Sequence, residues 1–298
     1  MSLPYRSRHA VHAVWLPLVL TGCQSGVLDP QGFVGVQERQ ILIDSLAIML
    51  AIVVPTILAT LGFAWWFRAG NARARYLPEW TYSGRIELVV WGVPLLTIML
   101  LGGVAWIGAH ALDPSMPIAS ERKPLEVQVV SLDWKWLFIY PEQHVAAVNT
   151  LTIPAGTPVH FSLTSASVMN SFFIPQLGSQ LYTMSGMTSR LNLIADRPGE
   201  FAGISAHFSG EGFADMNFRV HAVAPEQFEA WAAETRGRGD ALDEARYRAM
   251  TVQSIKVAPE TFRDVDPALF DRIVSQEIPP AAGPKGGAVT PSIKQSER

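Results

Sequence analysis

The sequence predicts a membrane α + β protein: a two-helix transmembrane hairpin, then a β-sandwich or small barrel, then a short helical C-terminal extension. Three observations carry this. Two uncharged runs, residues 45–67 and 88–109, each meet the roughly 20 residues of helix that a hydrocarbon core requires. From Glu126 to Val223 the pattern changes to short β-rich runs cut by Pro and Gly. The composition of the 298 residues, 49% hydrophobic and 16% charged with mean hydropathy +0.19, is too apolar for a fully soluble chain. It is also too polar for a many-span transporter.

Residues 1–22 read as a secretory signal. Arg6 and Arg8 give the positive start, residues 10–20 are mostly apolar, and the segment closes on Leu20-Thr21-Gly22-Cys23. The apolar run is too short to span a bilayer at about 1.5 Å per residue. Small residues before a cysteine are similar to the bacterial lipoprotein signal, whose cysteine is acylated and opens the mature chain. Cys23 is then a lipidation site; the competing reading is a short core segment ending in a buried cysteine. It is the only cysteine, which excludes disulfides within the chain, zinc sites built on several thiolates, and any copper centre needing two of them.

Residues 23–110 form the anchor and hairpin, with spans at about 43–67 and 87–109. Pro55 and Pro94 are tolerable in membrane helices, where neighbouring groups satisfy the freed carbonyls. Trp65 and Trp66 sit near one end of the first span, at the depth amphipathic aromatics favour. The connecting loop carries Arg68, Arg73, Arg75 and Arg85 against Glu79 alone, which makes it cytoplasmic and puts the N- and C-termini on the periplasmic side. Glu87, at the cytoplasmic start of the second span, admits two readings. It snorkels to the headgroups or pairs with an arginine, or it marks a proton pathway.

The exported domain is expected over residues 125–223. Glu126–Val130 alternates at period two, as does Leu191–Ile194 more briefly, and further strands are expected at 134–140, 148–153, 158–164, 201–207 and 215–222. Residues 225–277 turn helical, with Pro225 at a helix start and Phe228, Trp231 and Ala232 at helical spacing. Shorter helices are expected at 243–252 and 267–274. Residues 278–298, rich in Pro, Gly, Ala, Ser and Lys, read as a disordered tail. Net charge −3 without a basic face excludes nucleic acid as a partner. His144, His160, His207 and His221 share no helical i, i+4 spacing and have no thiol to join them.

At this point the chain resembles a known family. Its order of signal, hairpin and β domain is similar to subunit II of the haem–copper terminal oxidases, and within them to the cytochrome bo-type ubiquinol oxidases. The stretches that carry the resemblance are Glu87–Pro94, Asp133–Gln143, Ser167–Pro175, Gly178-Ser179-Gln180 and Ser209–Phe213. The resemblance implies a cupredoxin-like sandwich. In cytochrome c oxidases that domain holds a dinuclear copper centre (CuA) ligated by two cysteines, two histidines, a methionine and a glutamate carbonyl. Carried over position by position, the histidines fall on Asn170 and Phe213, the cysteines on Ser205 and Ser209, and the glutamate on His207. Only Met216 survives.

The resemblance therefore implies a chain with no metal or cofactor of its own. Ubiquinol, not cytochrome c, would feed electrons to subunit I, where haem b, haem o (or a) and CuB reduce oxygen while protons are pumped. Subunits I, III and IV and membrane lipid are the implied partners, in a bacterial cytoplasmic (inner) membrane. Trp134 and Trp136 would be aromatics at the contact with subunit I, and Glu87 a proton-entry candidate. Two rivals remain open: cytochrome c oxidase subunit II, and a membrane-tethered sensor or binding lipoprotein.

Overall fold

A computed structural model describes residues 26–284. The expected signal, Cys23 and residues 285–298 of the expected tail lie outside the described residues. The chain divides into two compact units, residues 37–113 and the remainder.

The first unit holds two helices, α1 (Phe33–Trp66, whose first turn belongs to the other unit) and α2 (Gly84–Ala111), both long and apolar enough to cross a membrane. Beside Pro55, Thr56 Oγ1 donates to Ile52 O at 2.7 Å, and next to Pro94 Thr97 Oγ1 donates to Val93 O at 2.8 Å. These bonds show side-chain hydroxyls serving helix carbonyls near the prolines. Covered positions recur at helical spacing, in part at Ile41, Ser45, Ile48 and Ile52 on α1 and at Thr97, Leu101 and Val104 on α2, and fully at Gly108. Gly108 meets Ile41 so closely that a Cβ there would lie 2.7 Å from Ile41 Cδ1. The other half of each helix, residues 53–66 and 84–96, is almost wholly exposed within the chain.

The second unit is a two-sheet sandwich. Seven strands form one sheet: β1 (Leu125–Leu132), β2 (Lys135–Tyr140), β3 (Val145–Val148), β5 (Val159–Ser165), β8 (Ser189–Leu193), β11 (Ala241–Leu242) and β12 (Glu260–Val265), in the order β11-β12-β3-β2-β1-β5-β8. Five form the other: β4 (Thr150–Pro154), β6 (Asn170–Phe173), β7 (Leu181–Thr183), β9 (Gly199–Ser205) and β10 (Asn217–Val223), in the order β4-β10-β9-β6-β7. Three parallel pairings, β1 with β5, β4 with β10 and β11 with β12, join otherwise antiparallel ladders. The helices α3 (Pro225–Arg236), α4 (Glu244–Met250) and α5 (Leu269–Val274) follow.

Strand β2 explains the architecture. Its Lys-Trp-Leu-Phe-Ile-Tyr run is buried at all six positions. Alternate residues of a strand point to opposite faces. Trp136, Phe138 and Tyr140 enter the core between the sheets, while Leu137 and Ile139 join a second core with Tyr247, Phe262, Leu269 and Phe270 of the extension. Both faces are covered, so the strand reads as a continuous apolar run.

Three expectations are corrected here. The strand expected at 148–153 is two strands, broken at Asn149, whose φ of 55° suits an asparagine in the left-handed region. Asn149 Oδ1 accepts from Trp136 N–H at 2.9 Å and Asn149 Nδ2 donates to Val257 O at 2.8 Å, as the chain passes from one sheet to the other. The extension is helical but also supplies β11 and β12, the latter pairing with β3. The expected disorder does not begin at 278. Ile278 is buried in the second core, and Ala281 N–H donates to Ala166 O at 2.8 Å.

Candidate functional site

The loop after β9 and the start of β6 bring most of the singled-out positions together. Phe172 in β6 pairs with Ser205 in β9, and Ala206 N–H donates to Ser171 O at 2.9 Å. That ladder places Ser205 Oγ 3.4 Å from Asn170 Oδ1, with His207 O as a further acceptor at 3.3 Å. Ser205 N–H donates to Met216 O at 3.1 Å, closing the loop on a single 3₁₀ turn at Phe213–Asp215. Asn170, Ser205, Ser209 and Met216 are all buried.

Trp134 packs against this loop. Its Nε1 donates to Ser209 O at 2.9 Å, and its ring presses on Gly212, where a Cβ would fall 2.3 Å from Trp134 Cδ2. Gly212 therefore has to lack a side chain for the ring to lie where it does. The buried Ser209 Oγ finds no hydrogen-bond partner among the described residues.

The remaining positions diverge. Phe213 sets its ring edge-on to Phe208, 5.7 Å between centroids, and Phe208 is 72% exposed. His207 meets Tyr182 edge-on at 5.7 Å. Elsewhere His160 Nδ1 lies 2.9 Å from Asn192 Oδ1 and His221 Nδ1 lies 3.3 Å from Glu200 Oε1. Among the described residues no three His, Cys, Asp or Glu side chains gather as a metal site.

The donor set at the loop does not fit a dinuclear copper centre. Copper of that kind takes soft bridging sulfur; here the positions offer an amide, two alcohols, a phenyl ring and one thioether. A neutral serine hydroxyl does not bridge metals as thiolate does, and a phenyl ring has no lone pair to give.

Trp136 corrects a sequence-based expectation. It is fully buried between the sheets, edge-on to Phe172 at 5.4 Å and to Phe218 at 5.7 Å, so it has no surface to offer a partner. Trp134 retains 6% exposure and is committed to the chain's own loop. Two residues apart along the chain, both turn inward.

Sequence reasoning passed over the polar cluster formed by the two residues that flank Trp134 in the chain. Asp133 is buried; its carboxylate accepts from Ser167 Oγ and, at 3.2 Å, from Gln253 Nε2. Lys135, also buried, donates through Nζ to Val252 O at 2.9 Å and to Ser254 Oγ. Burial pushes the Lys135 ammonium below its ordinary pKa, and the Asp133 carboxylate opposes that shift. The signal was available, since two opposite charges interrupt an otherwise apolar stretch. Glu87 lies in the first turn of α2, exposed within the chain, its N–H donating to Ser83 O at 3.0 Å.

Comparison with known proteins agrees with this architecture. The family model for the periplasmic domain of cytochrome c oxidase subunit II matches residues 125–223, and one for an aromatic-rich motif of such oxidases matches residues 236–279. Cytochrome bo(3) ubiquinol oxidase subunit 2 of Pseudomonas aeruginosa is 48% identical over 259 residues, 87% of this chain and 78% of the relative. Ubiquinol oxidase subunit 2 of Acetobacter aceti is 47% identical over 261 residues, 87% of this chain and 85% of the relative. Quinol oxidase subunit 2 of Bacillus cereus is 36% identical over 235 residues, covering 78% and 81%.

Proposed function

The chain belongs to the ubiquinol oxidase subunit 2 family, and from that premise we propose that it is the non-redox subunit II of a proton-pumping ubiquinol oxidase in a bacterial inner membrane. It is a membrane protein with a periplasmic domain and a part of a haem–copper oxidase complex. Quinol is oxidised to quinone within the membrane and oxygen is reduced to water at haem b, haem o (or a) and CuB of subunit I. This chain contributes binding and shape: its hairpin clamps subunit I and its sandwich caps it, with both termini periplasmic and subunits III and IV completing the complex. Cys23 is acylated, which adds a lipid anchor to the two spans. Glu87 assists proton uptake from the cytoplasmic side.

The observation that carries the non-redox reading is the pair Ser205 and Ser209. The chain's one cysteine is Cys23, so no thiolate stands at either position, and cytochrome c has no copper here to reduce. Purification in mild detergent, a reduced-minus-oxidised spectrum and oxygen uptake with each donor test the proposal. Haem should co-purify and ubiquinol should drive oxygen uptake, with reduced cytochrome c inactive. Two coppers and a thiolate absorption band in this chain, or turnover on cytochrome c, would overturn it; a chain that emerges without haem would point to a sensor.

A further inference from the structure

The loop between α1 and α2 borders an open hollow of about 550 Å³ lined by Trp66, Phe67, Arg73, Arg75, Tyr76 and Trp80 among others. Its chemistry is divided. Four aromatic rings and two guanidinium groups line it, next to the end of a span. Among the described residues neither Arg73 nor Arg75 is paired with a carboxylate, and the loop's one acid is Glu79. By contrast Arg68, two residues past the end of α1, is already engaged: its Nη1 donates to Trp65 O at 2.7 Å and its guanidinium lies 4.9 Å above the Trp65 ring.

We propose that this hollow binds one anionic phospholipid of the cytoplasmic leaflet, with Arg73 and Arg75 on the phosphate and the Trp66, Phe67 and Trp80 rings against the glycerol and upper acyl chains. Three arguments select that occupant. Arginine is suited to phosphate because its planar fork presents paired N–H donors. Tryptophan and tyrosine favour the headgroup level, where one part of the ring is apolar and another wet. The excess of arginine in this loop places it at the cytoplasmic surface, where anionic lipids concentrate and attract basic side chains. A zwitterionic lipid also offers a phosphate, but its own headgroup cation offsets that charge, so the arginine pair gains less from it.

The inference rests on membrane insertion of the hairpin, and not on which electron donor the complex uses. Its test takes the intact oxidase complex in nanodiscs of phosphatidylcholine. These are doped with a photoactivatable phosphatidylglycerol or, separately, with the matching phosphatidylcholine probe, and the labelled peptides are mapped by mass spectrometry. Phosphatidylglycerol should label residues 66–80 in preference to phosphatidylcholine. Labelling should fall roughly fivefold for each arginine replaced in Arg73→Gln and Arg75→Gln, fall less in the paired lysine variants, which keep the charge but lose the fork, and resist excess inorganic phosphate. Equal labelling by both lipids, labelling unchanged in the double glutamine variant, or displacement by inorganic phosphate would overturn the proposal. So would an unlabelled loop covered by another subunit. Haem content and quinol turnover are read on the same sample, so a failure of the functional reading is seen separately from a failure of the lipid site.

Discussion

Gly212 shows how a single position can fix a site without supplying any chemistry. It is the space in which the Trp134 ring lies, and that ring in turn ties β2 to the loop carrying Ser205 and Ser209. Gly212→Ala forces a methyl group into the ring, and overpacking of this kind costs about 1–3 kcal/mol; the melting temperature of the complex should fall, while Glu211→Ala beside it should change little. Lys135 makes a different prediction. A buried lysine with a lowered pKa holds fewer protons folded than unfolded between that pKa and 10.5. Stability attributable to it therefore rises with pH through that window, and below it the cost of burying the charge is felt in full. Lys135→Met should flatten the alkaline rise of a melting-temperature-against-pH curve; an unchanged slope would remove Lys135 as its source. The residue scale is also where reading the sequence was least secure. Asn170, Ser205, Ser209 and Met216 could be placed by resemblance, but the burial of Trp136 could not, because both faces of β2 are covered by distant segments, the opposite sheet on one side and the extension on the other.

Elements were legible in proportion to how locally they are determined. The two spans are visible because hydrocarbon selects each residue of α1 and α2 individually, and β1 because one strand face meets the core between the sheets at period two. Strand β12 was not visible. Its Glu-Thr-Phe-Arg-Asp-Val buries only Phe262 and Val265 fully and is held in extended form by β3, a partner more than a hundred residues earlier. Likewise Asn149 breaks a run that looks like one strand, because two sheets, and not its neighbours, require the turn. At this scale Glu87 is a question about the start of α2. Glu87→Ala should slow quinol oxidation and lower the protons pumped per electron while the haem spectrum keeps its amplitude, and Glu87→Asp should recover part of the loss. If turnover is the same across pH in the alanine variant, the carboxylate only snorkels.

At the scale of the whole molecule, the extension completes the sandwich. Tyr247, Phe262, Leu269 and Phe270 cover the outer face of the seven-stranded sheet, and burial of each such side chain contributes about 1.5–3 kcal/mol. Ending the chain at Ala258 removes three of these and uncovers the edge of β3, so subunit II should fail to accumulate in the membrane; blotting against an exported tag measures it. An alternative truncation at Pro284 keeps β12, α5 and Ile278 and should assemble normally. The order of residues along the chain gives β12 one more role. A polypeptide crosses the membrane from its N-terminus, so β3 waits with an open edge while more than a hundred further residues are synthesised and exported. The last stretch of sheet to arrive is the one that closes it. Synthesis through β12 thus becomes a condition for closing the fold, and a chain that stalls or ends before it stays visibly unfinished to the chaperones and proteases that search for exposed strand edges.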